Sequence, residues 1–197
     1  VDENKVNILL EIIPINPKNE KSKEFSSFVT NLEEKLSNLN IRTHVDQLDE
    51  SPGFKFNKWE LKGVPIRIEI GLKEFENMEV TVCRRDNSEK YQIQIDKIDE
   101  IPTILQSIQD NLFNDAKTFM DNNTCTVSSF ADFTDTLSKN NQFIKAYWDG
   151  TDETELKIKE KTKATIRCIV EDNEDSSNKC IFSGETAKHL VVFAKAY

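Results

Sequence analysis

The sequence predicts an α/β protein: a mixed sheet flanked by helices, followed by a small α+β domain. Three observations carry this. Strand, helix and strand patterns follow one another by Val45, the order of a βαβ unit with a parallel strand pair. Two further strand patterns meet at Asp86-Asn87, as in a hairpin added to the sheet edge. A polar stretch at 121–124 then separates a second run of short elements. The expected domains are residues 1–121 and 122–197.

Residues 6–15, VNILLEIIPI, form a nearly unbroken apolar run closed by Pro14 and Pro17, suited to a strand buried on both faces. Phe25, Phe28, Val29, Leu32, Leu36 and Leu39 recur at helical spacing behind Ser22, a possible N-cap. Residues 41–45 read as a short strand. Pro52-Gly53 marks a tight turn, and a helix-like aromatic and basic run follows until Gly63. Pro65 opens a strand in which Ile66, Ile68 and Ile70 alternate with Arg67 and Glu69. Residues 71–78 read as a connection, 79–85 and 91–95 as the hairpin. A long helix carries Ile98, Ile101, Leu105, Ile108, Leu112, Ala116 and Phe119 on one face. Beyond the polar linker, the second domain reads as a helix around Phe130, Phe133 and Leu137, a strand at 143–148, a charged helix near 153–163 and a strand at 165–171. A mobile acidic loop (172–178) and strands at 180–182 and 190–196 close it.

With 197 residues and 37% hydrophobic content, two modest cores are within reach. No apolar run is long enough for a membrane helix, and residues 1–30 lack a signal-peptide pattern, so a soluble cytoplasmic protein is expected. Cys83, Cys125, Cys168 and Cys180 lie far apart without a C-x-x-C, the pattern of free thiols. A chain that begins at Val1 and enters structure at once reads as a piece of a longer protein. No P-loop, G-x-G-x-x-G, H-E-x-x-H or G-x-S-x-G is present, so no catalytic residue is assigned. His44 and His189 read as structural histidines; Glu33-Glu34 and Asp99-Glu100 read as solvated helix faces.

The chemistry concentrates in 49–71. The net charge of the chain is −9, yet 51–67 carries Lys55, Lys58, Lys62 and Arg67 against one acid, Glu60. A basic, aromatic island in an acidic protein suits an anionic ligand with flat faces, for which RNA is the foremost candidate. Guanine offers two donors on its Watson–Crick edge that one carboxylate can accept, and Arg presents a planar fork to its O6/N7 edge or to a phosphate. Glu60 and Arg67 therefore form a plausible guanine-reading pair, with Lys73 adding a carbonyl or phosphate contact. Phe54, Lys55, Lys58, Lys62, Arg84 and Arg85 would serve the RNA backbone or stack. The alternative is structural: Glu60 pairs with Lys58 or Lys62 on an exposed helix, and Arg67 or Glu69 pairs across the sheet.

The pattern D-x-x-x-x-x-P-G-F-K-F-x-x-W-E-L-K-G-V-P-x-R-x-E-x-G, present nearly letter for letter from Asp46 to Gly71, resembles prolyl-tRNA synthetases of the archaeal and eukaryotic-like type. Arg84-Arg85-Asp86 with Lys90, Leu112-Phe113, Ala116-Lys117, Lys161-Thr162, Ala164-Thr165, Arg167-Cys168 and the closing Phe193-Ala194-Lys195-Ala196-Tyr197 extend the resemblance along nearly the whole chain. It implies a class II synthetase anticodon-binding fold followed by the C-terminal extension of this family. It also implies that Glu60, Arg67 and Lys73 read the two guanines of the proline anticodon. The implied parent is a proline–tRNA ligase using ATP and Mg2+, homodimeric through a catalytic domain that precedes Val1, with tRNA(Pro) as partner. In relatives the C-terminal Tyr folds back toward that domain, so Tyr197 would lack its contacts here.

The chain departs from the family at the zinc site. Zinc-binding relatives carry C-G-x-x-x-C-E and a later C-x-x-C-G. Here DGTDETE puts Asp149 and Thr154, and CIFSG puts Cys180 and Ser183, at the ligand positions. One thiolate with hydroxyls is a poor zinc set. No zinc is expected, with hydrogen bonds or packing around Trp148 and Phe182 in its place. Cys168 lies outside the ligand pattern. Two rival readings use the same fold: a freestanding RNA-binding module, and a protein-interaction domain whose sheet edge docks a partner.

Overall fold

The computed structural model describes residues 8–15, 22–140 and 142–195. The expected contacts of Tyr197, and the start of the first strand at Val6, lie outside them. The chain divides into two compact units, Val1–Asn114 and Asp115–Tyr197.

In the first unit, strands β1 (Leu10–Pro14), β2 (Thr43–Val45), β3 (Ile66–Ile70), β4 (Glu79–Arg84) and β5 (Lys90–Gln94) form one sheet in the order β2-β1-β3-β4-β5. β1 is parallel to β2 and β3, while β4 and β5 run antiparallel as the predicted edge hairpin. Flanked on both sides, β1 is buried along its whole length, which is why its sequence is almost unbroken apolar. Helix α1 (Ser22–Asn38) lays Phe25, Phe28, Val29, Leu32 and Leu36 on one face of the sheet. Ile66, Ile68 and Ile70 of β3 point to that same core, so Arg67 and Glu69 point to the other face. There Ile13, Trp59 and Val64 form a small second core under α2 (Pro52–Leu61).

Three local readings change. Pro52-Gly53 is the start of α2, because Ser51 caps it by accepting the Phe54 N–H at 3.4 Å and Pro needs no donor in a first turn. The connection at 71–78 contains a short helix, α3 (Leu72–Glu76), its entry tied by the Gly71 N–H to Glu74 at 2.9 Å. The long helix α4 (Ile101–Asn122) follows a 3-10 turn at Ile95–Glu100 and buries only Ile101 and Ile108; Leu112 and Phe119 are exposed. A helix of this length spans about 33 Å against roughly 17 Å for a five-residue strand, so its second half outruns the sheet.

In the second unit, β6 (Thr124–Thr126), β7 (Phe143–Trp148), β8 (Ala164–Asp172) and β9 (His189–Lys195) make a mixed sheet in the order β6-β7-β9-β8. Helices α5 (Phe130–Lys139) and α6 (Asp152–Thr162), capped by Ser129 and Thr151, enclose Phe133, Ile144, Ile158, Val191 and Phe193. The expected linker at 121–124 is the end of α4 and the start of β6. Cys180 to Phe182 is a turn rather than a strand, next to a single bridge between Lys179 and Thr186. The acidic loop 172–178 is internally tied: Asn173 donates to the Asp175 and Ala187 carbonyls, and Asn178 to Asn173.

Candidate nucleic-acid interface

The strand register lines up one polar row across the first sheet, on the face beneath α2. His44 of β2 lies opposite Glu11 of β1, Glu11 opposite Arg67, Arg67 opposite Cys83, and Cys83 opposite Lys90. Successive members are about 4.8 Å apart, the spacing between strands.

The inner end of the row is sealed. Glu11 is fully buried, and its carboxyl is pushed up to about 9, by burial first and the Asp46 carboxylate second. Burial also pushes the His44 imidazole below its usual range. Both shifts favour the neutral forms, in which the Glu11 O–H can donate across the 2.9 Å contact to His44 Nδ1.

Asp46, beside this pair, anchors α2. Its Oδ2 accepts from the Trp59 indole at 2.6 Å and from Lys58 Nζ at 3.1 Å, and its carbonyl accepts from Lys55 Nζ at 3.0 Å. Residues 55, 58 and 59 share one helix face, which lets one aspartate gather all three. Burial pushes the Asp46 carboxyl up, but the Trp59, Leu48 and Lys58 donors outweigh it and the group stays below its usual range. α2 buries only Lys55 and Trp59, so this anchor sets its position.

The outer end of the row is a cleft of about 220 Å³ lined by Trp59, Glu60, Val64, Arg67, Cys83, Arg84, Arg85, Ser88 and Lys90. Small-molecule pockets start near 300 Å³, so the space suits one planar group rather than a whole cofactor. The Arg67 guanidinium sits 4.6 Å from the Phe56 ring and donates from Nε to Glu69 at 3.0 Å and from one Nη to Cys83 Sγ at 3.3 Å. Lys90 reaches the same Glu69 at 2.8 Å. Glu60 is exposed and, among the described residues, makes no ion pair and no side-chain hydrogen bond, although four cations line the cleft with it.

The structure therefore brings Glu60 and Arg67 together and leaves Lys73 apart. Lys73 is exposed on α3, past the far end of β3, roughly 10 Å or more along the strand from Arg67. The basic residues divide by partner. Lys55 is buried on Asp46, Lys58 pairs with it, and Arg84 is held by Asp86 at 2.7 and 3.0 Å. Lys62 lies 4.0 Å over the Trp59 ring, while Arg85 and Phe54 are exposed. Phe56, Cys83 and Lys90 were not singled out as site residues from sequence. Pairing Arg67 with Cys83 and Cys83 with Lys90 would have located two of them, once the hairpin register was known.

At the positions expected from the resemblance to match zinc ligands, Asp149 Oδ2 accepts from Thr154 at 2.8 Å and Ser183 at 2.6 Å, while Oδ1 accepts from Thr151 at 2.8 Å. Burial pushes this carboxyl up, but the Ser183, Thr154 and Thr151 donors hold it at about 2. Both hydroxyls at ligand positions spend their protons on the carboxylate, and Cys180 is the single thiol, so the set does not fit tetrahedral zinc. Among the described residues no group of three or more His, Cys, Asp or Glu could hold a metal. Phe182 packs edge-on to Phe130 at 5.0 Å beside this cluster. No helix among the described residues is long and apolar enough to cross a membrane.

Comparison with known proteins matches these two regions separately. The family model described as "Anticodon binding domain" matches residues 11–105, and "Prolyl-tRNA synthetase, C-terminal" matches 130–197. The proline–tRNA ligase of Flavobacterium johnsoniae is 42% identical over 192 residues, covering 96% of this chain and 39% of that protein. That of Prosthecochloris aestuarii is 44% identical over 172 residues, 82% of this chain and 35% of that protein. The crystal structure of prolyl-tRNA synthetase from Cryptosporidium parvum, complexed with L-proline and AMP, superposes with a TM-score of 0.83 at 30% identity. It covers 96% of this chain and 41% of that one. The chain thus spans about 40% of the length of these relatives. With both regions matched in sequence and in fold, the chain belongs to the prolyl-tRNA synthetase family, over its anticodon-binding and C-terminal domains.

Proposed function

We propose that this chain recognises the anticodon loop of tRNA(Pro) on behalf of a proline–tRNA ligase. The observation that best supports the reading is the cleft, which Glu60, without a side-chain partner among the described residues, lines together with a fixed Arg67, an aromatic ring and further cations. Glu60 accepts from the N1–H and amino group of a guanine, and Arg67 donates to its other edge or a phosphate. Lys73 serves a neighbouring nucleotide, since it lies too far along β3 to share that base. Lys62, Arg85 and Phe54 contact the RNA backbone or stack on it. Lys55, Lys58 and Arg84 support the surface from beneath.

The anticodon-binding domain is residues 1–121, and the extension, residues 122–197, holds its loops by hydrogen bonds without zinc. The whole enzyme acts in the cytoplasm, uses ATP and Mg2+ to activate proline, and is a homodimer through a catalytic domain. The present residues contribute no catalytic group.

The test is binding of the chain to a proline tRNA transcript at low salt. It is compared with a transcript lacking both anticodon guanines and with the Glu60→Ala protein. A loss of about 1–3 kcal/mol in each control is expected. Equal binding in all three would leave only electrostatic attraction and refute the assignment; no binding at all would favour a protein-docking role.

A further inference from the structure

We infer that Glu69 is a specificity-determining positioning residue, which holds Arg67 and Lys90 away from Glu60 so that Glu60 stays free to read a base. This rests on the guanine-reading role of the cleft. Four cations and Glu60 line one small space, and the lowest-energy outcome for a free arginine beside a free carboxylate is to pair with it. The side chains are arranged against that outcome. Glu69, itself only 14% exposed, takes Arg67 Nε at 3.0 Å and Lys90 Nζ at 2.8 and 3.1 Å, so one carboxylate holds two cations from two strands. Arg67 is fixed further by the Phe56 carbonyl at 3.4 Å and by Cys83, and one of its Nη atoms also lies 3.0 Å from Glu69, so the guanidinium is held from several sides. Asp86 does the same for Arg84, with Asn111 bracing it at 2.9 Å.

Glu69 carries a negative charge beside a site for a polyanion, which sets its positioning role against its bare charge. If only charge mattered, Glu69→Gln would tighten every RNA alike. If Glu69 holds Arg67, the freed guanidinium swings to Glu60, and discrimination between bases falls while phosphate attraction remains.

The experiment measures dissociation constants of the full chain for a proline anticodon hairpin and for one with the guanines replaced by adenine. It uses wild type, Glu69→Gln, Glu69→Asp, Glu60→Ala and Glu60→Ala/Glu69→Gln, with Trp59 fluorescence and thermal unfolding as checks of the fold. Wild type is expected to prefer the guanine hairpin by about tenfold or more. Glu69→Gln should lose most of that ratio while binding the adenine hairpin at least as tightly as wild type. Glu69→Asp, too short to span both cations, should fall between. In the Glu60→Ala background the Gln change should leave the ratio unaltered. A ratio kept in both single Glu69 variants overturns the inference and leaves the cleft reading intact. A wild type that does not discriminate overturns the cleft reading, and the inference with it.

Discussion

Replacing Glu11 by Gln removes a carboxyl that burial keeps protonated near neutrality. Folded, the group titrates at about 9; in an unfolded chain its value is 4.5. Between those limits the native state holds a proton that the unfolded state releases, so stability is full below pH 4.5 and falls as pH rises toward 9. The slope is about 1.4 kcal/mol per pH unit for one proton. Between pH 5 and pH 8 the wild-type unit should therefore lose up to about 4 kcal/mol relative to Glu11→Gln, whose neutral amide has no such linkage and can still donate to His44 Nδ1. The two tryptophans make the assay specific: Trp59 lies in the first unit and Trp148 in the second. Urea unfolding of Glu11→Gln and its parent, both in a Trp148→Phe background, is followed by Trp59 emission at pH 5, 6, 7 and 8. The difference in unfolding free energy should widen with pH in favour of Gln. A difference that stays flat would mean that Glu11 is ionised in the fold, and the neutral pair with His44 would be wrong.

Asp46→Ala leaves Lys55 buried without its counter-charge and should cost the first unit about 3 kcal/mol, read by the same Trp59 emission in urea. Ser183→Ala removes a 2.6 Å hydrogen bond to the Asp149 carboxylate and should cost the second unit about 1.5–3 kcal/mol, measured by urea unfolding followed at Trp148. Because the Asp149 carboxyl lies below its ordinary range, its contribution is present above about pH 4 and fades as pH falls toward 2. Lys62→Ala and Arg85→Ala should each weaken RNA binding equally for all sequences and reduce the salt slope by about one, as filter binding across a salt series would show.

Much of the fold was legible because its periodicities are strong. The apolar run of β1, the five-residue stripe of α1 and the alternation of β3 each follow from burial on two faces, one stripe or one face. α3 was missed because five residues with only Leu72 and Phe75 apolar carry too little periodicity to register. The second half of α4 was given a buried face because periodicity cannot show where a sheet ends. Within the site, the residue chemistry of Glu60 and Arg67 pointed to the cleft that both line. What side-chain type could not tell was which cations were already spoken for. Lys55 and Lys62 look alike in sequence, yet one is buried on an aspartate nine residues away and the other lies exposed over an indole.

The Asp149 cluster changes what the second unit depends on. A loop pair clamped by a metal is completed only when the ion is supplied and the thiolates stay reduced. Here the clamp is a carboxylate and hydroxyls, all delivered by the chain itself and inert to oxidants and chelators. Its last piece, Ser183, lies 34 residues after Asp149, so the cluster closes only once both loops are in place.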